Sequence, residues 1–125
     1  MPQNHAPMRL KILYAEGNEQ VLASQTPSIQ QAGHEVTTAI GRKPVTDALQ
    51  RGAFDLVILG SSLTRDDRHH LPYMVKKSKC GARVLVMHAD GARHPEVDGN
   101  IDSGRPMEEL LAKIASMLSE QVAAH

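Results

Sequence analysis

The chain has no tryptophan, one phenylalanine and two tyrosines in 125 residues. A surface that stacks successive nucleobases needs several aromatic rings, so single-strand nucleic-acid binding of that kind is excluded. An excess of one charge is missing too, since 14 acidic side chains stand against 14 basic ones. Without the basic excess that marks nucleic-acid binders, neither nucleic acid nor a membrane surface is expected as a partner. Cys80 is the only cysteine. An intrachain disulfide and a thiolate cluster for zinc are therefore out, which suits a reducing compartment. No apolar run approaches the ~20 residues that cross a bilayer. The opening "MPQNHAPM" lacks the charged and apolar parts of a signal peptide. A soluble, cytoplasmic protein is the expectation.

What is present is enough aliphatic residue for one core. A chain of this length forms one domain without disulfides or metals. Met1 to Met8 holds two prolines and few apolar residues, and reads as a disordered lead-in to a domain over 9–123. The centre of that domain is Phe54-Asp55-Leu56-Val57-Ile58-Leu59-Gly60-Ser61-Ser62-Leu63. Its apolar middle shows no polar alternation and needs cover on both faces, the condition of a parallel strand between helices. In open parallel sheets the chemistry lies just past the carboxyl ends of the strands, and here that place is Gly60.

Either side of this stretch, strands and helices alternate. A first strand over Leu10–Ala15 ends in the turn Glu16-Gly17-Asn18, where Asn18 can cap a helix. That helix runs from about Glu19 to Ala32, with Val21, Leu22, Ile29 and Ala32 as its buried stripe and Gly33 as its stop. Pro27 interrupts it at a cost of roughly 3 kcal/mol, which predicts a kink or a late start. A peripheral strand over His34–Ala39 precedes a short helix, Pro44–Arg51, that turns Val45, Ala48 and Leu49 inward. After the central strand, a third helix falls within Arg68–Lys79, with Pro72 near its first turn or bending it. Ala82–Met87 is a second buried strand, ending at His88.

Residues 89–100 are too rich in glycine, proline and charge for a full helix, and the fifth strand, within 100–104, has Ile101 as its only strong apolar residue. Pro106 opens the clearest helix, with Glu108 and Glu109 in its first turn and Leu110, Leu111, Ile114, Leu118 and Val122 on one side. Five β-α units with short connections predict a doubly wound parallel α/β sandwich with helices on both faces and a shortened or irregular fourth helix.

Four segments carry a family resemblance. "KILYAEGNE", "AGHEVTTA", "DLVILG" and "GRPMEEL" resemble the strand-linked motifs of response-regulator receiver domains, the CheY-like family of two-component signalling. The resemblance spans roughly Leu10 to Val122 and implies a flavodoxin-like (βα)5 fold with strand order 2-1-3-4-5. A working receiver holds magnesium between two carboxylates near the end of its first strand. It phosphorylates an aspartate at the end of the third, and steadies the phosphoryl group with a hydroxyl and a lysine after strands four and five. On that pattern Glu16 keeps an acid, while Gly17 replaces the second ligand, Gly60 the acceptor, His88 the hydroxyl and Arg105 the lysine. The aromatic residue expected on strand five is missing from Asp102-Ser103-Gly104.

The resemblance therefore implies a degenerate receiver without a phospho-acceptor. It would be a phosphorylation-independent interaction module of a phosphorelay, meeting a histidine kinase or an output protein. Self-association is also open to it, through a second face of the last helix at Met107, Ala115 or Met117. The alternative is a small-anion or metal sensor at the vacated site. There, Arg105 can fork onto Glu16 or an anion, and Ser61 and Ser62 can form a nest of backbone N–H groups. His88 reads as a ligand, a pH-sensitive contact or a hydrogen-bonded filler, the filler being the preferred reading. His69 and His70, with Glu16, His88, Asp66 and Asp67, could converge on a transition metal, though no HxxxH or CxxC spacing supports it. No cofactor fingerprint and no nucleophile beside a base is present, so neither a cofactor nor an enzyme is expected.

Overall fold

The computed structural model describes residues 9–78, 81–88, 98–102 and 106–123, with the backbone alone at 88, 102 and 118–123. Five strands, β1 (Lys11–Glu16), β2 (Glu35–Ile40), β3 (Leu56–Leu59), β4 (Arg83–His88) and β5 (Gly99–Asp102), form one parallel sheet in the order 2-1-3-4-5. Its helices are α1 (Glu19–Gln31), α2 (Arg42–Arg51), α3 (Arg65–Lys77) and α4 (Met107–Ala123). The expected irregular fourth helix and the lead-in over 1–8 lie outside the described residues. Among those described, no helix is long and apolar enough to cross a membrane.

Alternation along the strands sorts the core into two layers. Leu13, Ala15, Val57, Leu59, Val84 and Val86 face α2 and α3. Ile12, Tyr14, Ile58, Leu85 and Met87 face α1 and α4. In β1 and β3 every residue except Lys11 is buried, which is why neither strand shows polar alternation in the sequence. The edge strand β2 buries only Ala39 fully.

Three expectations need correction. α1 starts on time, because Asn18 Oδ1 accepts from the backbone N–H groups of Gln20 (2.8 Å) and Val21 (3.2 Å), and the helix runs on through Pro27. Its buried residues are Leu22 and Ile29, whereas Ala32 is exposed. α3 begins at Arg65 rather than Arg68, since Thr64 caps it by accepting from the Asp67 N–H at 3.1 Å and Asp66 and Asp67 offset the dipole of the first turn. Pro72 therefore sits buried in the helix interior. On α4, Met117 belongs to the core with Leu110 and Ile114 and is not part of a second face, Met107 packs partly against that core, and Ala115 is exposed.

Candidate functional site

The carboxyl ends of β1 and β3 lie side by side. The register pairs Ala15 with Leu59 and so brings Glu16 beside Gly60, where the Gly60 N–H donates to the Ala15 carbonyl at 2.8 Å. Glu16 shares a strand face with Tyr14, two residues earlier, and it is fully buried. Its side chain fills the space a side chain on Gly60 would need. A β-carbon built on Gly60 would overlap the Glu16 carboxyl carbon and both carboxyl oxygens.

Three donors hold that carboxylate. Tyr14 Oη donates to Oε2. The Ser62 N–H donates to Oε1 at 3.0 Å, and Ser62 Oγ donates to the same oxygen at 2.6 Å. The Ser62 hydroxyl has then spent its one proton and uses its lone pairs to accept from the N–H groups of Gly17 (2.9 Å) and Asn18 (3.0 Å). Tyr14 Oη also lies 3.0 Å from the Gln25 side-chain amide on α1. The near amide atom is Gln25 Oε1, so Tyr14 Oη can share its proton between Glu16 and Gln25. Burial, then the hydrogen bond to Glu16 and the negative charge there, push the Tyr14 phenol well above its ordinary range. It remains a proton donor at any physiological pH.

The same network brings the β3–α3 turn down onto Gly17. A β-carbon at position 17 would overlap the Ser62 carbonyl oxygen and crowd Leu63 Cα at 3.2 Å. The two glycines are thus spatially linked: one is filled by Glu16, the other is covered by the loop that Glu16 holds. Further along that loop, Arg68 Nη1 donates to the Ser61 carbonyl at 3.0 Å, and Arg42 pairs with Asp67 at 2.9 Å.

Of the residues singled out from the sequence, the structure brings together Glu16, Gly17, Gly60 and Ser62. Of the backbone nest expected at Ser61 and Ser62, the described residues show the Ser62 N–H alone, and it donates to the protein's own Glu16. Arg105 and the His88 side chain lie outside the described residues, and the partners seen for Glu16 are Tyr14 and Ser62. His69 and His70 are exposed on α3, and among the described residues no three His, Cys, Asp or Glu side chains gather as a metal site. Magnesium demands an octahedron of oxygens. Among the described residues this corner offers one carboxylate, already accepting from three donors, and does not fit that ion. Tyr14 and Gln25 were not foreseen, although the i, i+2 spacing of Tyr14 and Glu16 on a strand already placed them on one face.

No protein-family model and no curated protein matches the chain by sequence. Solved structures match it by shape. A two-component response regulator from Clostridium difficile superposes with a TM-score of 0.75 at 16% identity, over 89% of this chain and 97% of that one. The response regulator TrrA of Thermotoga maritima, solved with Mg2+ and BeF, gives 0.74 at 19%, over 86% and 97%. The Vibrio cholerae chemotaxis protein CheY4 gives 0.74 at 20%, over 88% and 99%.

Proposed function

We propose that this chain, whose fold is that of two-component receiver domains, works as a pseudo-receiver: a protein-interaction module of a signalling pathway that takes no phosphoryl group. The observation that carries the reading is the Glu16 carboxylate lying where a side chain on Gly60 would stand. Position 60 is where the family resemblance puts the acceptor, and glycine offers no nucleophile. Glu16 itself is a poor substitute, being fully buried with its oxygens held by Tyr14 and Ser62. A fixed Glu16–Ser62 contact holds the β3–α3 loop in one arrangement, and so supports a module with a single constitutive surface. The same filling counts against a sensor that binds an anion or a metal at this corner, because the room it would use is taken.

The test is intact-protein mass after incubation with acetyl phosphate and magnesium, read beside thermal unfolding in magnesium. No phosphoryl adduct and no magnesium-dependent stabilisation is the expected result. A stable acyl phosphate mapping to Asp66, Asp67 or any other residue would overturn the reading.

A further inference from the structure

The zero net charge of the chain hides a division between its two helical layers. α2 and α3 together carry seven cations, Arg42, Lys43, Arg51, Arg65, Arg68, Lys76 and Lys77, against three carboxylates, Asp47, Asp66 and Asp67. Opposite them, α1 and α4 carry four glutamates against the single Lys113. Three of the seven cations are engaged within the fold: Arg42 with Asp67, Lys76 with Asp98 at 2.8 Å, and Arg68 with the Ser61 carbonyl. Lys43, Arg51, Arg65 and Lys77 are exposed and hold no ion pair among the described residues.

This basic layer is grooved. Between the C-terminal parts of α2 and α3 lies a cavity of about 220 Å3 lined by Thr46, Leu49, Gln50, Met74, Lys77 and Ser78. Leu49 and Met74 give it an apolar floor continuous with the core below, and Tyr73, half-exposed, stands on α3 beside it. Lys43, Thr46 and Gln50 recur at helical spacing along one face of α2, and Tyr73 and Lys77 do so on α3. An apolar trough thus has cations at its margins.

We propose that this α2–α3 groove docks an acidic amphipathic segment of a partner protein. Its apolar side chains would seat against Leu49 and Met74, and its carboxylates would meet Lys43 and Lys77. Helix-in-groove recognition has this form: apolar anchors supply affinity, and charge complementarity supplies orientation and association rate. A phosphate backbone suits the surface less well. It gains nothing from an apolar floor, and Asp47 sits one turn from Lys43 within the basic stripe. The inference deepens the proposed function, on which it rests, by naming the surface and the chemistry of the partner.

The probe is a labelled synthetic amphipathic helix with leucines on one face and glutamates on the other, titrated into the full chain and followed by fluorescence anisotropy. Polyglutamate and a short DNA duplex serve as comparison ligands. The expected result is saturable binding of the leucine–glutamate peptide, weakened about tenfold or more by Lys43→Glu with Lys77→Glu and weakened by added salt. Met74→Gln, which keeps the length of the side chain, reports on the apolar floor and weakens binding too. The charge reversals fall on exposed positions, and unchanged thermal unfolding shows that they leave the fold intact. No binding of the peptide overturns the proposal, as does equal or tighter binding of polyglutamate or DNA. Indifference to the substitutions overturns it as well. The phosphodonor experiment reads phosphoryl transfer to the chain and not occupancy of this groove, so failure here and failure there are separate results.

Discussion

Glu16 is a buried carboxylate, and burial without donors would cost several kcal/mol. Tyr14 and Ser62 supply those donors, and hydrogen bonds to a charged group are each worth about 1.5–3 kcal/mol. The absent side chain of Gly60 makes the arrangement possible. Gly60→Ala displaces Glu16 from its donors and is expected to cost about 2–4 kcal/mol in urea unfolding. Much of that cost should vanish when Glu16→Ala is already present, because the Cβ then meets no carboxylate. A double-mutant cycle that came out additive would remove Glu16 as the reason for glycine at 60. Gly17→Ala should cost more than Gly60→Ala, since the obstacle is the Ser62 backbone rather than the end of a side chain. Introducing aspartates at 17 and 60 therefore damages the fold before it can test the chemistry.

Among the elements, β2 is held little by burial, with Ala39 its one fully buried residue. Its N-terminal end is fastened where the Leu10 N–H donates to His34 Nδ1 at 3.2 Å and the Glu35 N–H donates to the Leu10 carbonyl at 2.9 Å. Only an imidazole unprotonated at Nδ1 can accept that bond, and partial burial lowers the His34 pKa below its ordinary value. The unfolded chain then binds the proton more readily than the folded one, so stability rises with pH across this range. The contribution is complete above about pH 6.5, the ordinary value, and is lost as pH falls through the lower folded value. His34→Gln should flatten this segment of the stability–pH curve, measured by denaturant midpoint. An unchanged slope would assign the acid sensitivity to other groups. The elements themselves were legible to different degrees. α1 and α4 show in caps and periodicity, whereas the sequence puts the start of α3 three residues late, because Thr64 with Asp66 and Asp67 looks like polar loop as much as a cap and first turn.

At the scale of the molecule, the sheet separates two cores that share few side chains. Leu71 lies in one, with α2 and α3, and Ile114 in the other, with α1 and α4. Leu71→Ala should cost about 2–5 kcal/mol and Ile114→Val about 0.5–1.5 kcal/mol. The two should add within about 0.5 kcal/mol, because the sites share no partner. Strong coupling would mean that the sheet transmits repacking from one face to the other. The same division splits the charge, with most helical cations on the α2–α3 side and all four glutamates of the helices opposite. A net charge of zero could not reveal it, because a sum carries no position.

The sequence by itself determined the class of fold, since unbroken apolar runs at 56–59 and 84–87 and helical stripes between the strands admit only a parallel sheet covered on both faces. It also determined that Gly17 and Gly60 bring no side chain to the strand ends, a matter of composition alone. What fills that room was decided only by the tertiary structure. The partners of Glu16 are two residues away on its own strand and forty-six away in the β3–α3 turn, and their convergence depends on the register of β1 against β3 and on the small volume of glycine. The grooved basic face had the same origin: Leu49, Met74, Lys43 and Lys77 became one surface when two crossovers placed α2 and α3 on the same side of the sheet.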